Sequence, residues 1–191
     1  MIIANANRKR ILTVPEASYE LGLTAALISV PAQNSAAWTL RSADISQYIG
    51  ASARLVIRYL NGSSYRGDLQ LDDFNIGGNT FDPEVGINSF QTNGVANPSS
   101  SYGNVAFTAL TTSSTNGRFN RDANGTGSSS TGLTTGNTGI YYYYAETSSS
   151  YSDYFWLRSP VVTITAGTLS FYSAQYGSNC GAFEAYLEII E

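Results

Sequence analysis

The stretch Phe183-Glu184-Ala185-Tyr186-Leu187-Glu188-Ile189-Ile190 alternates apolar and polar side chains. Successive residues of an extended chain point to opposite faces, so Phe183, Ala185, Leu187 and Ile189 share one side and Glu184, Tyr186 and Glu188 the other. That is a strand with one face on a core and one face wet or against a partner. Working outward, the same period of two recurs between clusters of Gly, Ser, Asn and Pro. It predicts about nine strands: 21–30, 53–60, 68–76, 105–110, 140–146, 155–158, 161–164, 168–174 and 183–190. The one helical turn expected lies over 44–50, with Asp44 capping its start and Gly50 ending it. The fold class read from this pattern is all-β, a sandwich of two antiparallel sheets.

Composition agrees. The chain has 191 residues, 42% hydrophobic, 13% aromatic and 13% charged. This is enough apolar material for a core, about half the usual share of charge, and no window long and apolar enough for a membrane helix. A net charge of -4 gives no general basic field for nucleic acid. The one local basic cluster is Arg8-Lys9-Arg10, in a segment, residues 1–16, that reads as an arm ahead of a single domain over 17–191. We take Arg8, Lys9 and Arg10 as the candidate contact to an acidic partner surface. The opening residues contain no apolar stretch of signal-peptide length, so a secretory route is not expected.

Histidine is absent and Cys180 is the only cysteine. A Ser-His-Asp or Cys-His constellation, a His-based zinc site and an internal disulfide are therefore all excluded within this chain. Carboxylates, tyrosines and the single lysine are left for catalysis. Glu184 and Glu188 share a strand face but stand roughly 13 Å apart at about 3.3 Å per residue, beyond the span used in glycoside hydrolysis. Gly125-Thr126-Gly127-Ser128 lacks the third glycine and the helix of a dinucleotide site. The expectation is no enzyme. Asp72 and Asp73 end a strand whose Leu69 and Leu71 share a face, which puts Asp73 in phase with the core. A carboxylate there must be bonded, paired or metal-bound, so Asp72 and Asp73 are the candidate ligands of a structural calcium, against bonding to backbone amides or to an arginine such as Arg58. No other cofactor is expected.

Tyr141-Tyr142-Tyr143-Tyr144 places two rings on each sheet face. Two are expected in the core and two at a surface, together with Tyr151, Tyr154 and Trp156, where they would stack on sugars or a partner. Residues 111–139 are dominated by Ser, Thr, Gly and Asn and read as a linker that something else must order.

Two stretches resemble one known module. Residues 38–76, with Trp38-Thr39-Leu40, Arg54-Leu55-Val56-Ile57-Arg58-Tyr59 and Gly67-Asp68-Leu69-Gln70-Leu71-Asp72-Asp73-Phe74, are similar to the C-terminal half of a MAM-type jelly-roll module. Residues 119–190, with Tyr142-Tyr143-Tyr144-Ala145-Glu146, Leu157-Arg158-Ser159-Pro160 and Leu169-Ser170-Phe171-Tyr172, resemble its N-terminal half. The halves stand in inverted order. The resemblance thus implies either a circularly permuted jelly roll or half-sandwiches completed by a neighbouring subunit, which would make a homo-oligomer. Extracellular MAM modules carry paired cysteines that this chain lacks. With Gly117-Arg118-Phe119-Asn120-Arg121-Asp122-Ala123-Asn124-Gly125, the style looks like the MAM-like repeats of tailed-bacteriophage structural proteins. That implies a virion protein on a capsid or tail, whose partners are other virion proteins, not nucleic acid or membrane. The alternative is a carbohydrate-binding or adhesion module acting on a host-surface glycan.

Overall fold

The computed structural model describes residues 23–93, 107–112, 116–148 and 150–190. Among them run β1 (Ile28–Val30), β2 (Ser35–Asp44), β3 (Ser52–Leu60), β4 (Asp68–Ile76), β5 (Asn79–Phe81), β6 (Gln91–Asn93) and β7 (Phe107–Ala109). They are followed by β8 (Arg118–Ala123), β9 (Tyr141–Glu146), β10 (Tyr154–Arg158), β11 (Val162–Thr163), β12 (Thr168–Tyr176) and β13 (Ala182–Ile190). Two antiparallel sheets pack face to face. The first has the order β1-β13-β3-β10-β6-β7 with β11 also on β3, and the second β2-β12-β4-β9-β8 with β5 also on β4.

The pairs β1·β13, β2·β12, β3·β10 and β4·β9 nest inside one another, alternating between the sheets. A long hairpin rolled up in this way is jelly-roll connectivity, and it runs from the outermost pair to the innermost in chain order. Both stretches singled out above lie in this roll and pair with each other inside one chain. β4 is hydrogen-bonded to β12 and β9, and β3 to β13 and β10. No strand from a second subunit is needed to complete either sheet. Among the described residues between β4 and β9, β6 and β7 extend one sheet edge, β8 extends the edge of the other, and β5 pairs with β4.

The period-two reading holds where one face meets the core. Phe183, Ala185 and Leu187 lie in the same buried cluster as Leu55, Ile57, Tyr59, Leu69, Leu71, Phe74, Phe155 and Phe171, with Ile189 packed at its margin. The expected turn appears as a short 3-10 segment, Ser46–Tyr48; Asp44 Oδ1 accepts from Ser46 N at 2.8 Å, and Gly50 closes it at φ +91°. Strands β2, β5, β6 and β8 have no counterpart in the sequence reading. β2 is an outer strand with both faces partly exposed, so its composition carries no clear alternation.

One phase assignment is overturned. Asp73 is not on the core face, because β4 bulges there: Ser170 pairs with Asn75 but Tyr172 with Asp72, so two residues, Asp73 and Phe74, oppose Phe171 alone. Asp73 takes φ +49° in the left-handed region that Asp tolerates better than most residues. The extra residue hands the core position to Phe74, which stacks on Phe171 with ring centroids 5.8 Å apart. Burial of a phenylalanine in place of a carboxylate is the reason the bulge is favoured.

Candidate functional site

The outward face of the second sheet is covered over β4 and β9, where Gln70, Asp72, Tyr142 and Tyr144 are buried. Of the stretch read as a linker, residues 118–123 form β8 instead, and residues 124–139 lie across these strands, held by polar side chains of β4 that the roll brings beneath them. Gln70 pins the segment from both ends of its amide, accepting from Leu133 N at 2.5 Å and donating to Leu133 O at 3.0 Å. Asp72 accepts from Asn137 N at 2.7 Å and from Thr138 N at 3.4 Å, while Asp73 accepts from Asn137 Nδ2 at 2.8 Å and Thr138 Oγ1 at 2.7 Å. Trp38 Nε1 donates to Thr135 O at 3.1 Å, and Glu84 accepts from the backbone N–H groups of Ile140 and Tyr141. The glycines make the close approach feasible: a Cβ on Gly136 would sit 2.5 Å from Thr138 O, 2.7 Å from Tyr141 O and 2.8 Å from the Asp72 carboxylate. The segment is thus ordered by the chain's own strands.

This cover changes the role of the tyrosine run. Tyr143 faces the core, and Tyr142 and Tyr144, on the opposite face, are fully buried beneath the segment. The Tyr142 hydroxyl accepts from Gly125 N at 2.9 Å. Tyr141 is half-buried, with the Arg121 guanidinium 3.6 Å from its ring centroid. The run contributes no open stacking surface.

The calcium candidates Asp72 and Asp73 converge with Asp82, which the sequence reading did not include; carboxylate oxygens of the three lie within 4.8 Å of one another. The donor set is that of a carboxylate cluster neutralised by N–H and O–H groups rather than an open cage of oxygens. Asp72 also accepts from Asp73 N at 2.8 Å, and Asp82 from Glu84 N at 2.7 Å at the start of a second 3-10 turn. Burial, and then the neighbouring Asp73 charge, push the Asp72 carboxyl up to about 7, with the backbone N–H groups pulling the other way. Calcium prefers six to eight oxygen ligands, and these carboxylates already spend lone pairs on nitrogen donors. Bonding to backbone amides, the alternative named above, is present at Asp72, whereas Asp73 is bound by the Asn137 side-chain amide and the Thr138 hydroxyl; Arg58 is paired with Glu184.

A second acidic pair lies deeper. Asp68 and Glu146 are 1% and 2% exposed. Asp68 Oδ1 accepts from Thr147 Oγ1 at 3.0 Å, and Glu146 Oε1 from Ser148 N at 3.0 Å. Burial, reinforced by the Glu146 charge, pushes the Asp68 carboxyl up to about 7 against the pull of the Thr126, Thr131 and Thr147 hydroxyls.

On the outward face of the first sheet, Glu184 pairs with Arg58 and Glu188 with Arg54 at 3.0 Å, each acid directly across from its arginine in the β13–β3 register. Neither glutamate stands as a lone solvated acid. The Arg58 guanidinium lies 5.2, 5.8 and 5.7 Å from the ring centroids of Tyr154, Trp156 and Tyr186. Trp156 is therefore not a surface aromatic. It is 1% exposed, packed with Val56 beneath Leu23, Phe107, Tyr154 and Tyr186, because long side chains on the flanking strands close over it. Tyr154 is half-exposed and Tyr151 exposed. Burial, then the Asp68 charge, push the Cys180 thiol up to about 12, which disfavours the reactive thiolate. Arg8, Lys9 and Arg10 lie outside the described residues.

No family model, curated protein or solved structure matches this chain. What the chain does must be read from its own side chains.

The residues that organise the covered face, Gln70, Asp82 and Glu84, were not legible in the sequence. An alternating Asp-Leu-Gln-Leu-Asp run announces one polar face and does not say whether water or another segment lies against it. The only available signal was the glycine spacing at 127, 132 and 136, where the chain approaches strand side chains too closely for a Cβ.

Proposed function

We propose that this chain is a non-catalytic structural protein of a virion, a jelly-roll unit on the surface of a phage capsid or tail. The observation that carries the non-catalytic part is the engagement of the candidate carboxylates. Glu184 and Glu188 are paired to arginines, and Asp72 and Asp73 bind the N–H and O–H groups of the covering segment. Groups so committed serve the architecture of the two faces, and the chain has no histidine to act in their place. The virion assignment rests on the resemblance of residues 38–76 and 119–190 to MAM-like phage modules and on the polar, lysine-poor surface style. A sandwich whose β4 and β9 are covered by its own loop, and whose other sheet carries an arginine–aromatic layer around Trp156, offers surfaces rather than chemistry.

Antibodies to the purified chain should label particles in a lysate of its source culture, and the chain should co-sediment with those particles. Removing residues 1–10 should abolish that incorporation if Arg8, Lys9 and Arg10 dock the arm. A chain that never co-sediments with particles would overturn the assignment. A second reading, adhesion to glycans, is favoured by a separate feature at one end of the sandwich.

A further inference from the structure

Four connections meet at the end of the sandwich where β3 leads into β4. They are the β1–β2 turn, the β3–β4 loop, the β12–β13 loop and the start of the covering segment. Between them lies an open cleft of about 360 Å³, in the size range of small-ligand sites. Its lining includes Asn34, Tyr65, Arg66, Ser130, Tyr176 and Ser178. We propose that this cleft binds an acidic saccharide, a sugar carrying a carboxylate, with Arg66 holding the anionic group and Tyr65 supplying the ring face. The proposal rests on the adhesion reading and names its site.

Three observations support the ligand class. The first is charge. Among the described residues, Arg66 lines the cleft, no carboxylate does, and the Arg66 side chain has no acidic partner, although the chain as a whole carries -4. A lone guanidinium in an acidic protein offers a planar, two-pronged donor that matches a carboxylate. The second is the rest of the lining, which is hydroxyl and amide groups with two phenol rings. Sugars need hydroxyl and amide partners for their own hydroxyls and an aromatic face for their C–H surface. Tyr65 is 41% exposed, and the Arg66 guanidinium stands 5.7 Å from its ring centroid, so ring and charge are presented together.

The third is rigidity. The walls are tied by hydrogen bonds from backbone N–H groups, two to carbonyls and two to asparagine side chains, rather than left to close on a ligand. Gly177 N donates to Asn34 Oδ1 at 3.1 Å, Asn179 N to Arg66 O at 2.8 Å, Ser64 N to Asn179 Oδ1 at 2.8 Å and Asp68 N to Thr131 O at 3.0 Å. A preformed cleft spends less of its interaction energy on ordering loops. The covering segment contributes Ser130, so the packing that seals the second sheet also completes one wall of the cleft.

Calorimetric titration of the full chain with tri-galacturonate, tri-mannuronate and sialyl-lactose tests this, with maltotriose as a neutral sugar and tripolyphosphate as a charge without a ring. At least one acidic sugar should bind saturably, maltotriose about tenfold or more weaker, and tripolyphosphate should not compete. Arg66→Gln and Tyr65→Ala, both at exposed positions, should each weaken binding about tenfold or more while the melting curve stays in place. Absence of heat with all three acidic sugars, binding unchanged in Arg66→Gln, or displacement by tripolyphosphate would each overturn the site. Incorporation of Arg66→Gln into particles reads the virion assignment separately. The two proposals therefore fail by different measurements.

Discussion

Gln70→Ala isolates the bond between the covering segment and the sheet. Gln70 is fully buried, and its amide makes both hydrogen bonds to the Leu133 backbone. Truncation removes two hydrogen bonds, each with a net value of about 1 kcal/mol. The docking of residues near Leu133 should weaken by about 2 kcal/mol, which raises the population of the undocked form about 30-fold. The rest of the core is untouched, since Leu69 and Leu71 face the other way. Native-state amide exchange measures both regions at once. Exchange at Leu133 should accelerate about 30-fold, whereas Ile57, in the middle of β3, should accelerate much less. Asn137, held independently by Asp72, should fall between them. Equal acceleration at Leu133 and Ile57 would refute the reasoning, since it would mean that the segment opens only when the whole sandwich unfolds.

Three further outcomes are expected. Asp68 binds its proton more tightly folded, with a carboxyl at about 7, than unfolded, near the ordinary aspartate value. Its contribution to stability is therefore complete below about pH 4 and is lost as pH rises toward 7, by up to about 4 kcal/mol. Urea midpoints between pH 4 and 8 should show this loss relative to Asp68→Asn, and parallel pH profiles would disprove it. Trp156→Ala should lower stability by about 3–5 kcal/mol, the cost of emptying a buried aromatic site, as read by urea unfolding; a cost below about 1 kcal/mol would mean the ring is not packed as described. Chelator should leave the melting midpoint in place, because N–H and O–H donors already satisfy Asp72 and Asp73. A fall of several degrees, restored by added calcium, would instead assign these carboxylates to a metal.

Strands whose inner face meets the core were legible because burial imposes period two: β3, β4, β9, β10, β12 and β13 fall where the alternation places them. The period failed at one residue. At Asp73 an inserted position reversed the phase, and only the pairing of β4 with β12 records it. Outward faces were not legible. Trp156, Tyr142 and Tyr144 stand on them, yet all three are buried, by flanking side chains in the first case and by the covering segment in the others.

By itself the sequence determined the class of fold and the chemistry left open to it. Alternating apolar residues can bury only one side of an extended strand, and a chain without histidine and with one cysteine cannot build the usual nucleophilic or zinc sites. The tertiary structure decided what lies on the outer faces. Whether a polar residue such as Gln70 meets water or a backbone amide 63 positions away depends on which segment the roll lays over it, and no local pattern carries that distance. The same long-range closure joins Asn34, Arg66, Ser130 and Ser178 around one cleft, from four connections that are neighbours only once the hairpin has rolled up.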